Sequence, residues 1–250
     1  MNKKIIVIAI AGTLVLSACG QLADIGIGTG AVEQDLQIEE IAPEPTKQVI
    51  SETTYIRYEF DEDINNDWGM RVISGLEKQL IWDQKTNRLR LQTLPPNDIN
   101  IAFFNKNLNY DDVIVQAEVE NLNELDDAFS LMCRVNEDGW YEFRISPMGY
   151  YDVLRFDQFK ADQDDNAYTS LLEKRVNTGL IQGGQDKNTF SLSCIGDVIS
   201  GFINGEQPIW QKRPIAFEDS TFSEGSVGFG ILGYGENFDM IYYSVETIKP

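Results

Sequence analysis

Histidine is absent from all 250 residues of the chain. With it go the Ser-His-Asp and Cys-His forms of nucleophilic catalysis and the ordinary zinc sites, each of which needs an imidazole as base or ligand. Cysteine is scarce, limited to Cys19, Cys133 and Cys194. Basic residues are outnumbered, 20 against 40 acidic, for a formal net charge of −20. Nucleic acid and anionic membrane surfaces would be repelled and are poor partners for the folded body; the same charge keeps a surface-displayed protein soluble. No stretch carries a sustained helical period, and the one long apolar run, Ile5 to Ala18, falls short of the roughly 20 residues a membrane span needs.

That run is instead preceded by Lys3 and Lys4 and followed by small residues, the pattern of a secretory leader. Leu16-Ser17-Ala18-Cys19 resembles a bacterial lipobox, which implies cleavage before Cys19 and its thioether linkage to diacylglycerol. Two acyl chains anchor stably where one does not, so the expected partner at this end is the cell membrane and the expected location extracytoplasmic. An ordinary leader with an unrelated cysteine is the alternative. Residues 19–53 show no period and carry acids, glycines and a Pro-Glu-Pro, as a flexible stalk would. The division expected is therefore a leader at 1–18, a lipidated stalk at 19–53 and a folded body at 54–250.

In an oxidising compartment the remaining cysteines form an even pair. Phe129, Leu131, Cys133 and Val135 fall on one face of a period-two strand, as do Phe190, Leu192 and Cys194. Both sulfurs then point to the apolar side, where they would meet in a disulfide or stay as two buried thiols. Short strand signals recur throughout the body. Val113, Val115, Ala117 and Val119 alternate with Ile114, Gln116, Glu118 and Glu120, the mark of a half-buried antiparallel strand. Turn chemistry recurs between such runs, as in Asn136-Glu137-Asp138-Gly139, Pro147-Met148-Gly149, Gly183-Gly184 and Asn204-Gly205. About a dozen such strands predict an all-β sandwich or jelly roll.

The order of features over about residues 55 to 249 resembles the concanavalin A-like, LamG-like β-sandwich domains. The runs that carry the likeness are YEFDEDINNDW, DAFSLMCRV, GWYEFRISPMGYYDVLRF, ISGFINGEQPIW and SVGFGILGYGENFDMIYYSVETI, with Gly201-Phe202-Ile203-Asn204-Gly205 and Val227-Gly228-Phe229-Gly230 the most specific. Secreted bacterial relatives include the domain described as a 3-keto-disaccharide hydrolase. The resemblance implies a jelly-roll sandwich of two curved antiparallel sheets, one with a concave outer face that often holds carbohydrate.

Glycoside hydrolysis needs two placed carboxylates, and laminarinase-type members of this fold carry Glu-x-Asp-x-Glu on a strand. Glu59-Phe60-Asp61-Glu62-Asp63 departs from that pattern by lacking the final glutamate. Asp61, Asp63, Asn65 and Asp67 are oxygen-rich enough for calcium but lack the glycine and closing glutamate of an EF-hand. Asp162, Asp164 and Asp165 form a second acidic loop. No cofactor is expected beyond a calcium ion at the first loop. In the run LMCRVNEDGWYEFRISPMGYYDVLRF, placing Tyr141, Phe143 and Ile145 in the core sends Trp140, Glu142 and Arg144 outward, together with Ser130, Met132 and Arg134 of the preceding strand. An indole face with guanidinium and carboxylate groups suits a sugar, although cross-strand pairs of these residues also stabilise a sheet that binds nothing. Arg134, Trp140, Glu142 and Arg144 are thus the candidate ligand-binding residues. The function expected is a non-catalytic module for a glycan or other extracellular ligand. A glycan- or disaccharide-acting hydrolase and a structural lipoprotein that engages another protein are the alternatives.

Overall fold

A computed structural model describes residues 53–60, 67–85, 87–94, 98–120, 128–163, 165–183, 187–233 and 237–248. The leader, Cys19 and the stalk to residue 52 lie outside the described residues, as do Asp61, Glu62, Asp63, Asn65, Asp164 and Gly184.

Strands numbered in chain order build two antiparallel sheets. The back sheet holds β1 (Thr53–Tyr58), β3 (Leu80–Lys85), β4 (Arg88–Thr93), β6 (Val113–Glu120), β12 (Asn188–Ile195), β13 (Val198–Ile203), β16 (Ala216–Glu218) and β18 (Asn237–Ile248). Its order is β16-β13-β12-β6-β18-β4-β3, with β1 on β18 beyond the end of β4. In that pairing Thr53 lies opposite Ile248 and Tyr58 opposite Tyr243. The front sheet holds β2 (Trp68–Ser74), β5 (Ile99–Asn105), β7 (Ala128–Val135), β8 (Gly139–Ser146), β9 (Tyr150–Asp157), β10 (Tyr168–Ser170), β11 (Val176–Asn177) and β17 (Ser226–Gly233). Its order is β10-β9-β8-β7-β17-β5-β2, with β11 also on β9. A hairpin of β14 (Ile209–Trp210) and β15 (Arg213–Pro214) and one helical turn, α1 (Gln158–Ala161), complete the described elements used below.

Period-two alternation builds the core. Val113, Val115, Ala117 and Val119 of β6 are buried while Ile114, Gln116, Glu118 and Glu120 are half-buried on the other face. Phe190, Leu192 and Cys194 of β12 meet Phe129, Leu131 and Cys133 of β7 and Tyr141, Phe143 and Ile145 of β8 in one cluster. Each such side chain contributes about 1.5–3 kcal/mol through burial. Cys133 and Cys194 are bonded to each other, so the disulfide ties the two sheets together near the C-terminal ends of β7 and β12. The sheets approach closely where Gly201 of β13 faces Phe143; a Cβ there would lie 2.7 Å from the ring.

The two lateral openings of the sandwich differ. Between β16 and β10 the β14–β15 hairpin closes the gap, with Trp210 against Phe217 and the Ile209 carbonyl accepting from the Tyr151 hydroxyl. Between β2 and β3, on the other side, the described residues include no such hairpin.

Candidate functional site on the outer face of the front sheet

The front sheet is strongly curled about its outer face. Asn100 on β5 donates to the Tyr168 hydroxyl on β10 at 3.1 Å, although β9, β8, β7 and β17 lie between them. In a flat sheet those strands would stand about 24 Å apart at the usual spacing. Arg71 on β2 likewise reaches 5.6 Å from the Trp140 ring on β8. The outer face is therefore a trough, and its contents divide into two halves.

One half is filled by the protein's own side chains. Trp140 stacks on Phe156 at 3.8 Å, Phe156 meets the Tyr168 ring edge-on at 5.0 Å, and Ala102, Met132, Val135 and Ala167 pack around them as a second small core. The β9–β10 connection makes this possible. Asp157 caps α1 by accepting from the Lys160 amide, and its own amide donates to the Ala167 carbonyl, which returns the chain over Trp140. Gln158 in α1 accepts from Arg71 across the trough at 2.9 Å.

The other half is polar. Glu142 accepts from Arg144 Nε at 2.7 Å and from Trp140 Nε1 at 3.1 Å, so both of its oxygens are engaged. The Arg144 guanidinium carbon lies 4.5 Å from the centre of the Tyr168 ring, and its Nη2 is buried without an acceptor among the described residues. Asp152, opposite Arg144 on β9, accepts from Ser170 at 2.7 Å. Ser130 and Ser146 complete the floor, and Tyr150 at the rim carries the Arg175 guanidinium 4.9 Å from its ring centre. Burial pushes the Asp152 carboxyl up, against the Ser170 hydrogen bond and the Arg144 charge. Burial alone would lower Arg144, but the charges and hydrogen bonds of Glu142 and Tyr168 together outweigh it and the guanidinium is held firmly protonated. Tyr168 is raised by burial, with the Glu142 charge acting in the same sense.

The four expected ligand-binding residues are thus placed differently from one another. Trp140, Glu142 and Arg144 do share the face away from the main core, but Trp140 is 0% and Glu142 1% exposed, because the curl and the β9–β10 connection cover them. Arg134 does not join the row. It sits at a bulge opposite Val227, between the pairs Met132–Gly228 and Val135–Ser226, with φ 53°. The extra residue shifts the alternation, and the side chain turns to the end of the sandwich. There its guanidinium donates to the carbonyls of Asp111, Phe222 and Gly196, tying three loops together. A Cβ at Gly225 would lie 2.4 Å from the Arg134 backbone, so this bulge requires glycine beside it.

Alternation sends Ser130 outward, where it lies, but does not single out Asn100, Asp152 or Tyr168, and period two alone does not decide which face of β9 is inward. The usable signal was the turn at Pro147-Met148-Gly149. It sets Tyr151 opposite Ile145, which is core, and hence Asp152 opposite Arg144 in the trough.

Among the described residues no group of acids is arranged to hold a metal ion. Asp67, the described member of the first acidic loop, accepts from Asn107 Nδ2. Asp162 accepts from Gln158, Glu59 pairs with Arg57, Glu118 pairs with Lys187 and Glu120 with Arg88.

No known protein family matches the sequence, and no curated protein resembles it significantly. Solved structures do match. A Bacillus subtilis protein of unknown function with a galectin-like fold aligns with a TM-score of 0.54 at 10% identity, over 77% of this chain and 95% of that one. The catalytic domain of an endo-1,3-β-glucanase (laminarinase) from Thermotoga petrophila aligns at 0.53 and 8% identity, over 80% and 100%. A GH16 protein of a Bacteroides ovatus mixed-linkage glucan locus, solved with a G4G4G3G product, aligns at 0.53 and 10%, over 76% and 99%. The chain has the concanavalin A-like jelly-roll fold. Within that jelly roll the trough is the outer face of the front sheet, filled at one half and polar at the other.

Proposed function

We propose that this chain is a lipid-anchored, extracytoplasmic binding module that holds a glycan in the polar half of the trough without transforming it. The observation that carries the reading is Arg144: its Nη2 has no acceptor among the described residues, and its side chain, 19% exposed, stands beside Asp152, Ser130 and the Tyr168 ring. A sugar hydroxyl at the exposed part of the guanidinium accepts from it and takes its own partners from Asp152 and Ser130. Tyr150 offers a ring at the rim for the apolar face of a sugar. The likeness to glucan-acting jelly rolls supports a carbohydrate by analogy of fold alone. The engagement of both Glu142 oxygens favours holding over hydrolysis, since a general acid or base needs a carboxyl oxygen free to face the substrate. The leader and Cys19 supply the anchor.

A glycan array probed with the chain from Gly20 to Pro250 tests this. Binding is expected, and Tyr150→Ala and Asp152→Asn should each weaken it about tenfold, the equivalent of about 1.4 kcal/mol. Binding untouched by both substitutions moves the site elsewhere; release of reducing sugar from a bound glycan makes the protein a hydrolase. Retention of a protein rather than any glycan supports the alternative of a structural lipoprotein that engages another protein. In the producing cell, Cys19→Ala should release the protein from the membrane fraction.

A further inference from the structure

The two lateral openings also differ in the strands that frame them. On the closed side the outermost strands, β16 and β10, have three residues each; on the open side β3 has six and β2 seven. Between β2 and β3 lies a cleft of about 830 Å³, with Met70, Leu76, Trp82 and Phe103 in its lining. Long edges are normally blunted, because their outward amides and carbonyls recruit another strand. β2 is interrupted by a bulge between Val72 and Ser74. β3 has neither proline nor bulge, and it pairs with β4 without a break from Leu80–Thr93 to Lys85–Arg88. The Leu94 amide donates to the Gln79 carbonyl, so the bonded side of that ladder continues through Ile81 and Asp83. Leu80 and Trp82 therefore turn their carbonyls, and Trp82 its amide, to the open side; the Leu80 amide folds back to the Glu77 carbonyl. Across the cleft, Met70 and Val72 of β2 lie on the core face, opposite Phe103 and Ile101, yet each is 37% exposed. Leu76, in the turn that joins the two strands, is 52% exposed. A core face and a backbone edge are thus open together.

We infer that β3 receives an extended peptide of another protein as a further antiparallel strand, with apolar residues at alternate positions entering the cleft and basic residues between them. Main-chain pairing supplies affinity in such additions, and alternate side chains supply selectivity. The opening asks for both, since it is apolar at Met70, Leu76 and Trp82 but framed by backbone. The molecule shows a like solution across the sandwich, where its own β14–β15 hairpin fills the gap with Trp210 against Phe217. Charge sets the occupant. On the outer face of β3 the added strand meets Ile81 and Asp83, and Glu77 lines the cleft, while Arg71 of β2 is drawn away to Gln158 in the trough. With a formal net charge of −20 on the chain, a basic strand is attracted and a second copy of this chain is repelled. The inference is independent of the glycan reading, since it uses the edge of the sandwich rather than the trough.

The test is calorimetry on the chain from Gly20 to Pro250 with short peptides in which valine and lysine alternate. Such a peptide should bind. One of the same composition arranged in pairs of like residues should bind at least about tenfold more weakly, as should one that alternates valine with glutamate. In the antiparallel pair the valine amides face β3 and the lysine amides face away, so N-methylation of the valines should abolish binding and N-methylation of the lysines should leave it. Met70→Gln, on the far wall of the cleft, and Asp83→Asn, beside the added strand, should each weaken the alternating peptide about tenfold. Both side chains reach solvent at a sheet edge, so the fold should tolerate either change. Equal binding of the block-patterned peptide, loss of binding on lysine but not valine methylation, an affinity unchanged in both variants, or self-association of the chain that excludes the peptide would each overturn the inference.

Discussion

Glu142 and Arg144 stand two residues apart on one strand and face one trough, yet their side chains are 2% and 19% exposed. Taking two charges out of water costs several kcal/mol for each, and the 2.7 Å contact recovers that only because Trp140 Nε1 satisfies the second carboxylate oxygen. Removing one partner therefore leaves a buried charge uncompensated. Arg144→Met should destabilise the protein by about 3 kcal/mol in urea unfolding, while Glu142→Leu with Arg144→Met together should recover most of the loss. A double variant no more stable than Arg144→Met would show that the pair is not coupled. The residue scale is also where the sequence was least legible. Arg134 reads as one more member of an alternating row, and only a bulge formed with a strand about 90 residues downstream takes it out of that row.

At the scale of strands, alternation was a good guide to which residues face the main core and a poor one to the other side. Val113 to Val119, Phe129 to Cys133, Tyr141 to Ile145 and Phe190 to Cys194 all face inward as their period demands. The same period assigns Trp140 and Glu142 to the outer face but is silent about curvature, so their burial was not visible. Curl is set by how the sheet closes over its contents, here by the Trp140–Phe156 stack and the fastening of Arg71 to Gln158. Tyr168 was hidden for the same reason, since its partner Asn100 lies on the far side of the trough. Strand packing also rests on absent side chains. With Phe143 2.7 Å from where its Cβ would be, Gly201→Ala should push β13 from β8 and cost about 1–3 kcal/mol, read as a lowered thermal midpoint. An unchanged midpoint would mean that the Phe143 ring has room to swing away.

At the scale of the molecule, the cysteine count and the phase of two strands were enough to anticipate the bond between the sheets, because each sulfur falls on the inward face of its own strand. The bond closes a loop with a sequence separation of 61. Cys133→Ala with Cys194→Ala should lower stability by about 2–4 kcal/mol without changing the fold, and reductant should do the same to the natural chain. A reductant-insensitive unfolding midpoint would remove the disulfide from the stability of the domain. The absence of histidine set another whole-molecule limit, leaving carboxylates and guanidinium groups as the charged chemistry of the trough.

The pairing of β1 with β18 gives the domain a mechanical grain. Because Thr53 lies opposite Ile248, tension between the two ends of the body loads the ladder from its outermost rung, and the rungs open in succession rather than shearing together. The terminal strands are thus a soft fuse. Once they open, the bond between Cys133 and Cys194, 61 residues apart, withholds about 200 Å of chain from extension, so the stretched body stops well short of its full contour.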